Sequence, residues 1–239
     1  MRILDIDGPL IQFLSRMADL MWLNILTMIC CIPIVTVGAS LTALNYMVLK
    51  IVRNEEGYIT RGFFKAFKEN FKQSTAIWCL FLVVACVLGI DYRIMTTTDV
   101  KIGNVPQMLL LIVAMMSLFT LLYVFPVQAK FSNTIMRTIW NAFVLSIVQF
   151  PKTILMIVLY VLPYVMVYLW NGIFPVAFVF CLSLPALASA RLYNKLFMSL
   201  ENKILAQNEG GEQESAGEEE DGRIFKDELD ESIEIGQNN

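Results

Sequence analysis

From Leu20 to Leu49 the chain runs for thirty residues without a charged side chain. Ordinary globular domains place a charge at about one residue in four, so an uncharged run of this length leaves little choice of solvent. Read from Met17, the stretch supplies about 20 apolar positions before its first breaks, enough to cross roughly 30 Å of hydrocarbon. Pro33, Thr36 and Gly38 interrupt it. Proline removes a backbone donor and glycine relaxes the chain, so a kink or break is expected between Pro33 and Gly38.

The rest of the sequence agrees with a lipid solvent. Hydrophobic residues make up 57% and charged ones 16% of the 239 positions, the reverse of what a water-facing surface needs. Charge is also segregated. Residues 1–200 carry 15 Lys and Arg against 8 Asp and Glu, while 201–239 carry 3 against 13, so a net of −3 describes neither part. The five cysteines all lie in apolar runs, where a thiol packs as a small hydrophobe, and they show neither a disulfide framework nor a zinc spacing. With no histidine, the commonest general base and metal ligand is absent. The mixed charges of Arg2, Asp5, Asp7, Arg16 and Asp19 are unlike a removable leader, so the first span is expected to stay in the mature protein.

Taken in order, residues 1–16 read as an N-terminal segment that includes a brief amphipathic helix, and 17–200 as an all-α, polytopic helical membrane domain. Five spans are expected, at about 17–37, 73–93, 107–129, 152–170 and 173–191, with interfacial helices at about 39–53, 61–72 and 134–150. Segment 39–53 is short for an easy crossing and reads as a half-buried or interfacial continuation of the first span. A tight re-entrant pair with both ends on one side is the alternative. The last two spans come from the uncharged stretch Thr153–Ala190, 38 residues long, which divides at Trp170-Asn171-Gly172. Blocks Phe63–Phe131 and Ile139–Arg191 resemble each other as amphipathic helix, span, turn and span, the form of a parallel repeat. The tail 207–239, rich in Glu, Gly and Asn, is too polar to fold alone and is expected to be disordered.

Orientation rests on one connection. On a helical wheel Phe63, Phe64, Phe67 and Phe71 share a sector, and Arg61, Lys65, Lys68 and Lys72 fill the one beside it. Rings at that spacing can sink to the acyl boundary while lysine stems reach back to anionic headgroups, each cation adding on the order of 1 kcal/mol. A nucleic-acid patch would not need the phenylalanines, so the expected partner is a bilayer with anionic headgroups and no nucleic acid. With Lys50 and Arg53 the connection holds six basic residues, which places it, and by span count the C-terminus, in the cytoplasm.

No catalytic constellation is legible: there is no GxSxG, phosphate loop, HExxH or carboxylate pair at membrane depth. No enzyme activity, cofactor or metal site is therefore expected. What remains at depth is neutral and polar: Asn24, Asn45, Gln128 and Asn141, together with the discontinuity at Pro33, Thr36 and Gly38. Such amides more often tie helices together than line a solute path, so helix assembly is the first reading and a polar path the second.

The runs Pro33-Ile34-Val35-Thr36-Val37-Gly38-Ala39, Ala43-Leu44-Asn45-Tyr46 and Phe63 to Gln73, followed by Phe125-Pro126 and Arg191-Leu192-Tyr193, resemble the YesL-type bacterial integral membrane proteins, a family of unknown function. The resemblance covers about residues 1–200. It implies a multi-pass protein of the bacterial plasma membrane whose genes lie near carbohydrate uptake systems, and it supplies no catalytic residues. The expectation is thus a non-enzymatic accessory to carbohydrate uptake or its sensing, with permease subunits of an importer as partner. A facilitative conduit for a small neutral solute, centred on Asn45, Asn141 and the discontinuous first helix, is the alternative.

Overall fold

The computed structural model describes residues 9–55, 57–97, 104–131, 133–170, 172 and 178–203, and every regular element among them is helical. The acidic tail 207–239, residues 1–8 of the N-terminal segment, and the first residues of the expected 173–191 span lie outside the described residues. Helices α1 (Pro9–Cys31), α2 (Val37–Val52), α3 (Ile59–Thr97), α4 (Asn104–Lys130), α5 (Ile135–Val148) and α6 (Phe150–Leu169) follow in order. Residues 183–203 form α7, of which the part from Tyr193 belongs to a second compact unit. Within that unit the Tyr193 and Phe197 rings lie 4.8 Å apart.

Among the described residues five helices are long and apolar enough to cross a bilayer: Leu10–Cys31, Ile34–Val52, Ile59–Thr97, Pro106–Lys130 and Phe150–Leu169. The protein is a polytopic helical membrane protein. Segment 39–53 joins this set as α2, and the expected 173–191 span lies partly outside the described residues.

The break after α1 is a reversal. Pro33 disfavours helical geometry at Ile32, so α1 stops at Cys31. A single 3-10 turn, Ile34–Thr36, then leads into α2. At the far end Arg16 Nη2 donates to Asn54 Oδ1 at 2.7 Å, which brings the start of α1 beside the end of α2. The two helices are therefore antiparallel arms of a hairpin, rather than one kinked span with an interfacial extension. Nor is α2 peripheral. Ten of its residues are buried, among them Gly38, Ala39, Ser40 and Ala43, whose small side chains let neighbouring helices approach. A Cβ on Gly38 would collide with the Ser74 carbonyl oxygen and lie 2.7 Å from Trp78 Cβ.

The helices expected separately at 61–72 and 73–93 form one continuous helix. No proline or glycine separates Phe71 from Trp78, so the helix continues unbroken for 39 residues, about 58 Å at 1.5 Å per residue. Burial divides it instead. Phe63, Ala66, Ser74 and Ile77 are its buried residues, all before Trp78, whereas Leu80, Val83, Val87 and Ile90 beyond it are exposed. On α4 the order is inverted: Met108, Leu109, Leu111 and Ile112 are exposed, and the buried residues run from Phe119 to Gln128. Exposed apolar side chains at consecutive positions surround that half of α4, as on a helix bathed in lipid.

Where the sequence suggested one interfacial helix over 134–150, the chain breaks at Gln149, whose φ of −107° and ψ of 38° end α5. Pro151 sits in the first turn of α6, where its missing N–H costs nothing. The two resembling blocks therefore differ, one holding an unbroken helix and the other a broken pair.

Gly38→Leu is expected to cost about 1–3 kcal/mol through overpacking at the α2/α3 crossing. Gly57→Leu, at a position open for 4 Å around, should be nearly silent. Thermal unfolding of the two variants in detergent checks the difference.

Candidate functional site

Neutral polar side chains at helix crossings form the most connected feature of the molecule. At the α2/α3 crossing the Thr42 and Ser74 hydroxyls share a buried hydrogen bond of 2.9 Å, made possible by the contact that Gly38 allows one turn away. Thr42 also donates to the Gly38 carbonyl at 2.9 Å. Nearby, Trp78 Nε1 donates to the Ile34 carbonyl at 2.8 Å, and its ring lies 6.2 Å from that of Phe125 on α4.

A second group links α3, α4 and α5. Gln128 Nε2 donates to Asn70 Oδ1 at 3.2 Å, and its Oε1 accepts from the Thr138 hydroxyl at 3.2 Å, so one amide bridges three helices. Asn70 donates in turn to the Ala66 carbonyl at 3.0 Å. Gln73 Nε2 donates to the Asn133 carbonyl in the α4–α5 connection. Further along, Thr153 donates within reach of Tyr123 Oη at 3.3 Å and of the Ser146 and Gln149 carbonyls at 2.9 and 3.1 Å. The Ser146 carbonyl lies in the last turn of α5, at the α5–α6 break, whereas that of Gln149 also accepts the Thr153 N–H at 2.9 Å.

Asn24 makes a third tie. Its Nδ2 donates to the Phe178 carbonyl at 3.0 Å, and its Oδ1 accepts the Leu182 and Ser183 amides at 3.1 and 3.3 Å. The side chain on α1 thus fastens the segment that leads into α7 and satisfies amides that a helix start leaves without internal partners.

The residues singled out from sequence fall into different places. Asn24 and Gln128 are buried at crossings; Pro33, Thr36 and Gly38 build the hairpin turn and its contact with α3. Asn45 is buried on α2 and donates to the Leu41 carbonyl at 2.8 Å, whereas Asn141 lies on the exposed side of α5. Arg61, Lys65, Lys68 and Lys72 are exposed on α3, as are Phe64 and Phe71. Phe63 departs from its expected membrane-facing place: it is fully buried, because Gly62 and Ala66 beside it let α2 close over that side of the helix. Phe67 is half-buried and joins the two positions, its ring 6.3 Å from Phe63 and 5.5 Å from Phe71.

Asn70, Ser74, Trp78, Tyr123, Thr138 and Thr153 were not singled out. A signal existed for three of them, since Asn70, Ser74 and Trp78 recur at four-residue spacing after Ala66, a polar stripe beside the phenylalanines. Chemically, hydroxyls and amides arranged in this way can hold helices in register. Among the described residues no group of His, Cys, Asp or Glu is placed to hold a metal ion.

The fold and these crossings define a helical membrane protein held together by neutral hydrogen bonds. Residues 20–92 match the model of a family described as a protein of unknown function, DUF624. The match takes in most of the α1/α2 hairpin and nearly all of α3. No curated protein and no solved structure matches the chain.

Asn70→Leu and Gln128→Leu are each expected to cost about 0.6–2 kcal/mol, in the range of interhelical hydrogen bonds in membranes. Because the two residues share a bond, the double variant should lose less than the two losses added together. Unfolding by SDS titration from mixed micelles measures all three.

Proposed function

We propose that this chain is a non-enzymatic accessory protein of a bacterial plasma membrane, working beside a carbohydrate importer or its sensor. Its long connection and C-terminus would face the cytoplasm, where cationic segments are retained. The observation that carries this reading is the division of labour on α3. Ser74, Asn70 and Phe63 are committed to neighbouring helices, while Arg61, Lys65, Lys68 and Lys72 remain exposed as a cationic surface for anionic headgroups or a protein partner. Asn24, Gln128 and Thr138 are likewise taken up in ties between segments, which supports an assembly role for the amides over a solute path. The carbohydrate assignment rests on the YesL-type resemblance of the PIVTVGA run and the basic phenylalanine helix.

In-cell photocrosslinking from positions 64 and 71, followed by identification of the captured chain, tests the proposal. Capture of importer permease subunits, lost when Lys65 and Lys68 are replaced by Glu, is the expected result. Solute flux through liposomes holding only this protein, abolished by Asn45→Leu, would overturn it.

A further inference from the structure

The α1/α2 hairpin and the apolar span of α3 occupy different levels. Along α3 the hairpin is fastened at Thr60, whose Oγ1 accepts from Trp22 Nε1 at 2.9 Å, and at Trp78, which donates to Ile34 in the turn at 2.8 Å. The hairpin therefore runs beside residues 60–78. The uncharged part of α3 is Gln73–Ile90, bounded by Lys72 and Asp91, 18 residues or about 27 Å, close to one hydrocarbon thickness. Trp78 lies about 9 Å from the Lys72 level and about 20 Å from the Asp91 level.

Had the hairpin crossed the whole hydrocarbon layer, the residues of α3 at its level would be inside that layer too. Arg61, Lys65, Lys68 and Lys72 are among them, and each would cost about 2.5–3.5 kcal/mol at the centre. The exposed apolar side chains Val83, Val87 and Leu109, Ile112 would at the same time be left in water. Immersing only the turn avoids both penalties.

The turn itself is built for that solvent. Ile32, Ile34 and Val35 are 77%, 67% and 53% exposed, yet no charge accompanies them. Several backbone groups in and beside the turn are nevertheless paired within the protein. Ile32 N–H donates to the Ile29 carbonyl at 3.2 Å, and Thr36 N–H to that of Pro33 at 3.0 Å. The Thr36 hydroxyl donates to the Cys30 carbonyl at 2.6 Å and lies 2.8 Å from that of Pro33; Trp78 covers Ile34, and Pro33 has no N–H to satisfy. Carbonyls of a surface turn in water can turn to solvent, whereas those of irregular backbone among acyl chains need partners of the kind Thr36 and Trp78 supply to Cys30 and Ile34.

We propose that the turn around Pro33–Thr36 is a one-leaflet membrane wedge: α1 and α2 enter and leave by the face that carries the basic side of α3, and Ile32, Ile34 and Val35 contact the acyl chains of that leaflet alone. The wedge does not depend on the partner or the transport context proposed above. It places the start of α1 on the same side as the α2–α3 connection.

The full-length protein in vesicles of phosphatidylcholine and anionic phosphatidylglycerol tests this, with its five native cysteines replaced by alanine and single cysteines introduced by Ser15→Cys, Val35→Cys and Gly57→Cys. An impermeant maleimide should label positions 15 and 57 from one and the same face. A bimane at position 35 should be quenched several-fold more by lipids brominated near the headgroup than by aqueous iodide or by lipids brominated near the chain end. Labelling of position 35 from the face opposite to 57 would show a full crossing and overturn the proposal. Iodide quenching there would do so by placing the turn in water, and resistance to every quencher together with disulfide formation between two copies would do so by placing it in a protein interface. The unsubstituted protein supplies a second reading by mass spectrometry: Cys30 and Cys31 should react with a permeant maleimide and resist an impermeant one applied to either face. Impermeant labelling of either thiol contradicts the wedge.

Discussion

A backbone amide or carbonyl in hydrocarbon has no water to turn to, and each one left unpaired costs several kcal/mol. That constraint organises this molecule. Helices meet it along their lengths, so the informative places are those where a helix stops. At the α1–α2 turn Thr36 and Trp78 take up carbonyls of Cys30 and Ile34. At the α5–α6 break Thr153 serves Ser146 and Gln149. Where the chain leads into α7, Asn24 holds Phe178, Leu182 and Ser183. Different side chains thus meet the same requirement at three interruptions.

Packing follows from the same solvent. Lipid tails do not drive apolar helices together, so helix pairs in a bilayer depend on close approach and on polar contacts. Gly38 supplies the approach between α2 and α3, and Thr42 with Ser74 the contact. Gln128 repeats the arrangement at the meeting of α3, α4 and α5. Among the described residues the half of α3 after Trp78 and the first half of α4 show no such ties, and both carry many exposed apolar side chains. A cleft between them, lined by Val83, Val87, Leu109 and Val113, is apolar and suits acyl chains.

Much of this was legible in the sequence. Charge-free runs announce their solvent without regard to tertiary contacts, which is why the all-helical, multi-span class could be read from Leu20–Leu49 and Thr153–Ala190 alone. The exposed cations of α3 could be read as well, because charge on an amphipathic helix has few places to go. The direction of the chain after Pro33 could not. A proline specifies that a helix ends but not where the next one points, and that was settled by Arg16 meeting Asn54 and by Trp78 meeting Ile34, over separations of 38 and 44 residues. Phe63 shows the limit of a helical wheel. Its sector looked uniform, yet Gly62 and Ala66 opened one side of it to α2. The amides of Asn24 and Gln128 stood out in apolar surroundings, whereas Thr138 and Thr153 were hidden among many hydroxyls that only geometry could sort.

In the proposed arrangement α3 passes, as one unbroken helix, from a cationic, water-facing half into a lipid-embedded one. Nitroxide labels placed singly along it at positions 65, 68, 83 and 87 in bilayers would report depth through relaxation by oxygen and by an aqueous nickel complex. Nickel should dominate at 65 and 68 and oxygen at 83 and 87. Oxygen-dominated relaxation at 65 and 68, or nickel-dominated relaxation at 83 and 87, would contradict the account.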